Sequence, residues 1–179
     1  MEDKFKDKFR VPSARLTNWD YGSHGLYSVT ICTNNRIHHL GEIISTELDD
    51  AVLKPSEIGA IAETNWQNIP GHFPFVELDE YVIMPNHIHG ILFLNKPAKI
   101  DWQPNKFGPQ RQNLGSVMRG FKASVKTYAT INGIDFEWQP RFHDHIIRSE
   151  KEYTNIRNYI ANNPQQWLLN GDKEDNFLS

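Results

Sequence analysis

The sequence predicts an α+β sandwich in which one antiparallel sheet of four strands is crossed by two helices and followed by a third. Three observations carry this: an alternating run at Leu26 to Thr33, two strand-like runs split only by Pro85 and Asn86, and two apolar stripes at helical spacing on either side of that pair. The chain has 179 residues, which at roughly 100 to 200 residues per domain means one compact domain. Apolar residues make up 39%, with 5 Trp, 10 Phe and 6 Tyr, enough bulky material for a core, so wholesale disorder is excluded.

Residues 1–25 are polar and rich in turn formers, and read as an arm leading into a domain over 26–168, with 169–179 as a flexible acidic tail. In LYSVTICT, Tyr27, Val29 and Ile31 alternate with Ser28, Thr30 and Cys32, the period-two pattern of a half-buried strand. After a polar turn at Asn34 and Asn35, the segment 54–67 places Pro55 in a helical first turn, and Ile58, Ile61, Ala62 and Trp66 recur at helical spacing. Pro70, Gly71 and Pro74 break the chain. Val76 to Met84 and His87 to Leu94 then form a hairpin about the Pro85–Asn86 turn.

Residues 95–112 contain three prolines and read as a long connecting loop, a kind of segment that often carries function. From Asn113, the residues Leu114, Val117, Met118, Phe121, Val125 and Tyr128 trace a second helical stripe, stopped near Asn132 and Gly133. Arg141 to Arg148 fits a strand. Ser149 with Glu152 makes a capping box, opening a last helix that runs to about Asn162 and is halted by Pro164, which lacks the backbone donor. The order is βαββαβ, that of a ferredoxin-like α+β sandwich, with an added C-terminal helix.

Composition removes several classes of function. A single cysteine forms no internal disulfide, zinc knuckle or dithiol redox pair, and it suits a reducing cytosol. The N-terminal MEDKFKDKFR lacks the apolar stretch of a secretory signal, and no run approaches the ~20 apolar residues of a membrane span, so export and membrane partners are not expected. Neither a Walker-type glycine loop nor a dinucleotide fingerprint is present. The net charge of -3 argues mildly against nucleic acid, but it hides a segregation. Nine acids and one base, Lys54, lie between Gly41 and Glu80. From Trp102 to Ile134 there are Lys106, Arg111, Arg119, Lys122 and Lys126 and no acid.

The heptapeptide MPNHIHG is the most informative. His87 and His89 lie two apart on a strand and project from one face, so that both imidazoles can bind one metal ion. A further ligand must come from His143 or His145 in HDH, or from a carboxamide or carboxylate of the last helix. HDH is a competing His-x-His, but its Asp144 points to the opposite face. On the last helix Tyr159 and Asn163 are four apart and therefore on one face. A phenol oxygen attacks phosphorus when a metal neutralises the phosphate, so metal-binding histidines with a tyrosine point to phosphodiester cleavage. Tyr128 is the rival nucleophile, and its place on the helical stripe argues for a core role instead.

Five segments in order, DYGSHGLYSVTICTNNR, YVIMPNHIHGILFL, LGSVMRGFKASVKTY, WQPRFHDHIIR and NYIANNP, resemble the REP-associated tyrosine transposases of the HUH superfamily, over about residues 15–167. The resemblance implies that His87 and His89 bind Mg²⁺ or Mn²⁺, that Asn163 supplies a metal-binding amide, and that Tyr159 is the nucleophile. The implied substrate is single-stranded DNA carrying a hairpin or palindromic REP-like element. It would be cleaved to a 5′-phosphotyrosine link and a free 3′-hydroxyl in a nucleoid-associated, cytoplasmic bacterial protein acting as monomer or homodimer. Arg119, Lys122 and Lys126, with Arg111 and Arg148, are the expected phosphate contacts, and Trp138 or Trp19 the expected base-stacking surfaces. Two other readings share these residues: a noncatalytic hairpin-binding module, and a metal-dependent hydrolase of a small phosphoester.

Overall fold

A computed structural model describes residues 4–5, 8–9, 24–96 and 112–171. The central sheet contains β1 (Gly25–Cys32), β4 (Val76–Met84), β5 (His87–Leu94) and β6 (His143–Ile147), all antiparallel in the order β4-β5-β1-β6. With α1 (Glu57–Gln67) joining β1 to β4, and α3 (Leu114–Ile131) joining β5 to β6, this is the expected ferredoxin-like arrangement. The hairpin strands β4 and β5 have the predicted bounds, because Pro85 and Asn86 leave no alternative turn.

The alternation read from the sequence sorts side chains onto two faces. Tyr27, Val29, Ile31, Ile88 and Leu92 face α1 and α3, where Trp66, Val117, Met118 and Phe121 complete the main core. Ile91 and Ile147 face the other way, against Ile156 and Ile160 of α4 (Glu150–Asn170). His87 and His89 share the face of Ile91 and thus lie beneath α4. Gly90 lies between His89 and Ile91 with its back to α1, where an added Cβ would stand 2.3 Å from Cζ2 of Trp66. Trp66 is fully buried, so it has little room to yield. Gly90→Ala is expected to cost roughly 1–3 kcal/mol through overpacking, seen as a lower urea midpoint at unchanged m-value. An unchanged midpoint would show that the indole shifts freely.

Four features depart from expectation. A second hairpin, β2 (Gly41–Ser45) with β3 (Ala51–Pro55), occupies a stretch that the sequence had left unassigned. Pro55 ends β3 instead of opening α1; Ser56 is the cap, its Oγ accepting from the Gly59 amide at 3.0 Å and donating to the His39 carbonyl at 2.6 Å. A short helix, α2 (Ile69–His72), follows α1 where only a chain break was expected.

The last departure concerns α4, which does not stop at Asn162. It continues through Pro164 to Asn170, although the proline cannot donate to the Ile160 carbonyl, a defect of about 3 kcal/mol in a helix interior. α4 packs against β2 and β3, and Trp167 in its extra turns rests on His87 and His38, so tertiary contact offsets the missing bond. At its other end Ser149 Oγ accepts from the Glu152 amide at 3.2 Å, as expected. The Glu152 carboxylate instead reaches the amide of Arg148 at 2.8 Å and His145 Nε2 at 2.5 Å, so the box is only half made.

Candidate active site

β5 starts immediately after the Pro85–Asn86 turn, and its first and third residues present their rings side by side, with His87 and His89 centroids 4.5 Å apart. Both are almost completely buried, at 0% and 2% exposure. Each ring is gripped at Nδ1. Asn86 Oδ1 lies 2.7 Å from Nδ1 of His87, and Thr30 Oγ1 lies 2.8 Å from Nδ1 of His89, brought there because Thr30 pairs with His89 across the β1–β5 ladder.

The Asn86 carboxamide is oriented by its other contact. Its Nδ2 donates to the Arg36 carbonyl at 3.3 Å, so Oδ1 must face His87 and can only accept. The His87 proton therefore sits on Nδ1 and the Nε2 lone pair faces away from Asn86. The Nε2 atoms of both rings are buried and make no hydrogen bond among the described residues. A ring held at Nδ1 by an oxygen, leaving Nε2 for another partner, is the orientation that metal-ligating histidines adopt.

α4 lies over these rings and places three side chains along one stripe. The Tyr159 ring is 5.4 Å from that of His89, and the Trp167 ring is 6.1 Å from that of His87. Asn163, four residues from each, falls between them and is buried at 7% exposure. The rings of His87, His89 and Tyr159 are thus neighbours within one chain, with the buried Asn163 one helical turn beyond Tyr159. Among the described residues no group of three or more His, Cys, Asp or Glu side chains has the arrangement of a metal site, so the HDH histidines do not complete one. His145 is tied to Glu152, and His143 is exposed on β6. Of the further ligands left open by the sequence, the carboxamide of Asn163 remains. Two imidazoles and an amide oxygen are donors that could hold a divalent ion with water in its open positions.

Tyr128 is on the other side of the sheet. Its phenol donates to Glu57 Oε1 at 2.8 Å, tying α3 to α1, and this hydrogen bond to a carboxylate pushes its pKa up. A phenol that resists deprotonation, separated from the histidines by a sheet, is a structural group.

The basic residues divide. Lys122 Nζ donates to the carbonyls of Gln139 and Arg141, both at 2.7 Å, and burial pulls its pKa down. Lys126 Nζ binds the Phe136 carbonyl at 2.7 Å and Glu137 Oε1 at 2.5 Å. Both ammonium groups fasten the segment before β6 onto α3. Arg119 and Arg148 are exposed, while Arg111 and Trp19 lie outside the described residues. Trp138 is no stacking surface: it is buried at 8%, with Nε1 donating to the Lys122 carbonyl at 3.2 Å. The half-buried aromatic beside the histidines is Trp167, with His38 at 5.5 Å. Sequence reasoning missed Trp167 because the helix was expected to end before it. Thr30 and Asn86 were legible only as the neighbour across the ladder and the neighbour in the turn.

No protein-family model matches the chain. It is 38% identical over 165 residues to an uncharacterised protein of Haemophilus influenzae, covering 87% of this chain and 88% of that one. A second protein of that organism, named "Putative REP-associated tyrosine transposase", is 34% identical over 98 residues, 52% of this chain and 51% of its own, so the chain matches about half of its length. Among solved structures, a REP-associated tyrosine transposase bound to a REP hairpin shares the fold with a TM-score of 0.55 and 22% identity, over 87% of this chain and 74% of that one. No helix among the described residues is long and apolar enough to cross a membrane.

Proposed function

We propose that the chain is a REP-associated tyrosine transposase, the family its sequence segments and the named relative resemble, and that it cleaves and rejoins single-stranded, hairpin-containing DNA through Tyr159 with the help of a divalent metal. The observation that carries this reading is the placement of the Tyr159 ring against His89, on the one sheet face where two buried imidazoles converge.

His87 and His89 through Nε2, with Asn163, would hold Mg²⁺ or Mn²⁺. Bound there, such an ion would supply Lewis-acid stabilisation of charge on the phosphate and the departing oxygen. The chain's own groups do the rest. Thr30 and Asn86 hold the two imidazoles in direction at Nδ1. The phenol of Tyr159 loses its proton and its oxygen attacks phosphorus. The bond to the 3′-oxygen breaks, and that oxygen takes up a proton to become a free 3′-hydroxyl while the phosphate stays esterified to the tyrosine. Because the link keeps the energy of the broken diester, a 3′-hydroxyl can reverse the step and join strands without a nucleotide cofactor. Arg119 and Arg148 offer phosphate contacts on the surface, and Trp167 offers a stacking face at the edge of the histidine pair.

An end-labelled hairpin oligonucleotide with a single-stranded flank, incubated with the protein and Mg²⁺ or Mn²⁺, is expected to give a denaturation-resistant adduct and an extendable 3′ end. Binding with no adduct would instead mark a noncatalytic hairpin-binding module. Cleavage of small phosphodiesters with no trapped DNA would mark a hydrolase.

A further inference from the structure

Apolar packing alone does not fix where α4 sits along its own axis. Ile156 and Ile160 press it onto Ile91 and Ile147, but such contacts are non-directional, and sliding by one residue moves every side chain by about 1.5 Å. Something directional must set the register of Tyr159.

It is found at an irregularity of the edge strand. Leu78 pairs with Leu92 and Tyr81 with Gly90, so three steps along β4 answer two along β5, and Asp79 and Glu80 occupy a bulge. The bulge lets two consecutive acids reach α4. Tyr153 Oη donates to Asp79 Oδ2 at 2.5 Å, Arg157 Nε stands 3.3 Å from Asp79 Oδ1, and Arg157 Nη2 stands 3.4 Å from Glu80 Oε2. Tyr153 and Arg157 are one helical turn apart, so the two acids grip α4 at two points, the second only two residues before Tyr159. The hydrogen bond to Asp79 also raises the pKa of Tyr153, keeping it a donor.

We propose that Asp79, assisted by Glu80, is a positioning residue for the nucleophile: the bulge clamp sets the register of α4 and with it the distance from the Tyr159 oxygen to the scissile phosphorus. The inference rests on the reaction proposed above. Partly exposed ion pairs contribute little to stability, whereas a misplacement of about 1 Å at a reacting centre costs on the order of 100-fold in rate. Rate and stability should therefore separate.

In Asp79→Asn the single-turnover rate of adduct formation is expected to fall about 100-fold, with oligonucleotide affinity and melting temperature near those of the unaltered protein. Arg157→Lys, which keeps the charge, should retain more of the rate than Arg157→Ala. An adduct rate in Asp79→Asn equal to that of the unaltered protein would overturn the proposal. A fall in rate matched by the loss of folded protein in both Asp79→Asn and the milder Tyr153→Phe would overturn it as well. A second readout needs no reaction: 3-fluorotyrosine placed at position 159 should show a ¹⁹F resonance shifted by the His89 ring, moving toward the unfolded value in Asp79→Asn. If the unaltered protein forms no adduct, the proposed reaction fails while this resonance still decides the clamp. A resonance that does not move refutes it.

Discussion

Tyr159→Phe protein, given Mg²⁺ and a labelled hairpin oligonucleotide, forms no covalent adduct, while Tyr128→Phe protein forms it at the rate of the unaltered chain. The contrast follows from the sheet. Tyr159 loses only the attacking oxygen, and the ring that packs on His89 is kept, so fold and DNA affinity persist while the chemistry ends. Tyr128 loses a hydrogen bond to Glu57 on the far layer, a change of about 1 kcal/mol in stability and none at the phosphate. Adduct by Tyr159→Phe, detected on a denaturing gel, would remove the central claim; adduct lost only in Tyr128→Phe would transfer it.

Chelation of divalent metal, and separately the double substitution His87→Ala with His89→Ala, should each reduce adduct formation to background. Added Mn²⁺ should restore it after chelation but not in the double variant. Binding of the ion to the folded chain also raises stability, by about 2.7 kcal/mol at a hundredfold excess over the dissociation constant. A rise in melting temperature on Mn²⁺ addition is therefore expected in Tyr159→Phe protein and absent in the double variant. That melt tests the ligands apart from turnover, since the phenylalanine variant cannot react. An equal rise in the double variant would place the ion elsewhere.

Much of the architecture was legible because the relevant signals are short-range. Alternation marked β1, the Pro85–Asn86 pair marked the hairpin that carries the histidines, and their spacing of two placed both on one face. The stripe from Leu114 to Val125 became a buried helix face. What escaped depends on contacts between distant segments. Pro164 is a local stop signal overridden by packing on the β2–β3 hairpin, so the reach of α4 and the role of Trp167 were hidden together. The β2–β3 hairpin itself combines two five-residue strands in an acid-rich stretch. Its turn depends on Thr46 Oγ1, which accepts from the amides of Leu48 and Asp50, a bond that no periodicity announces. The bases of α3 looked like a phosphate track because spacing reports which face a lysine occupies and not which carbonyls lie within its reach.

Asn86 has a bearing beyond the ring it touches. One carboxamide reads a main-chain oxygen of the exposed 34–36 turn on one side and dictates the protonation of His87 on the other. Asn35 and Arg36 hold left-handed backbone angles there, so the turn has few alternative shapes. The shape of that outer loop is thereby linked to the direction of the His87 ring, and Asn86→Asp, which takes away the donor while keeping the acceptor, breaks that link at one end only.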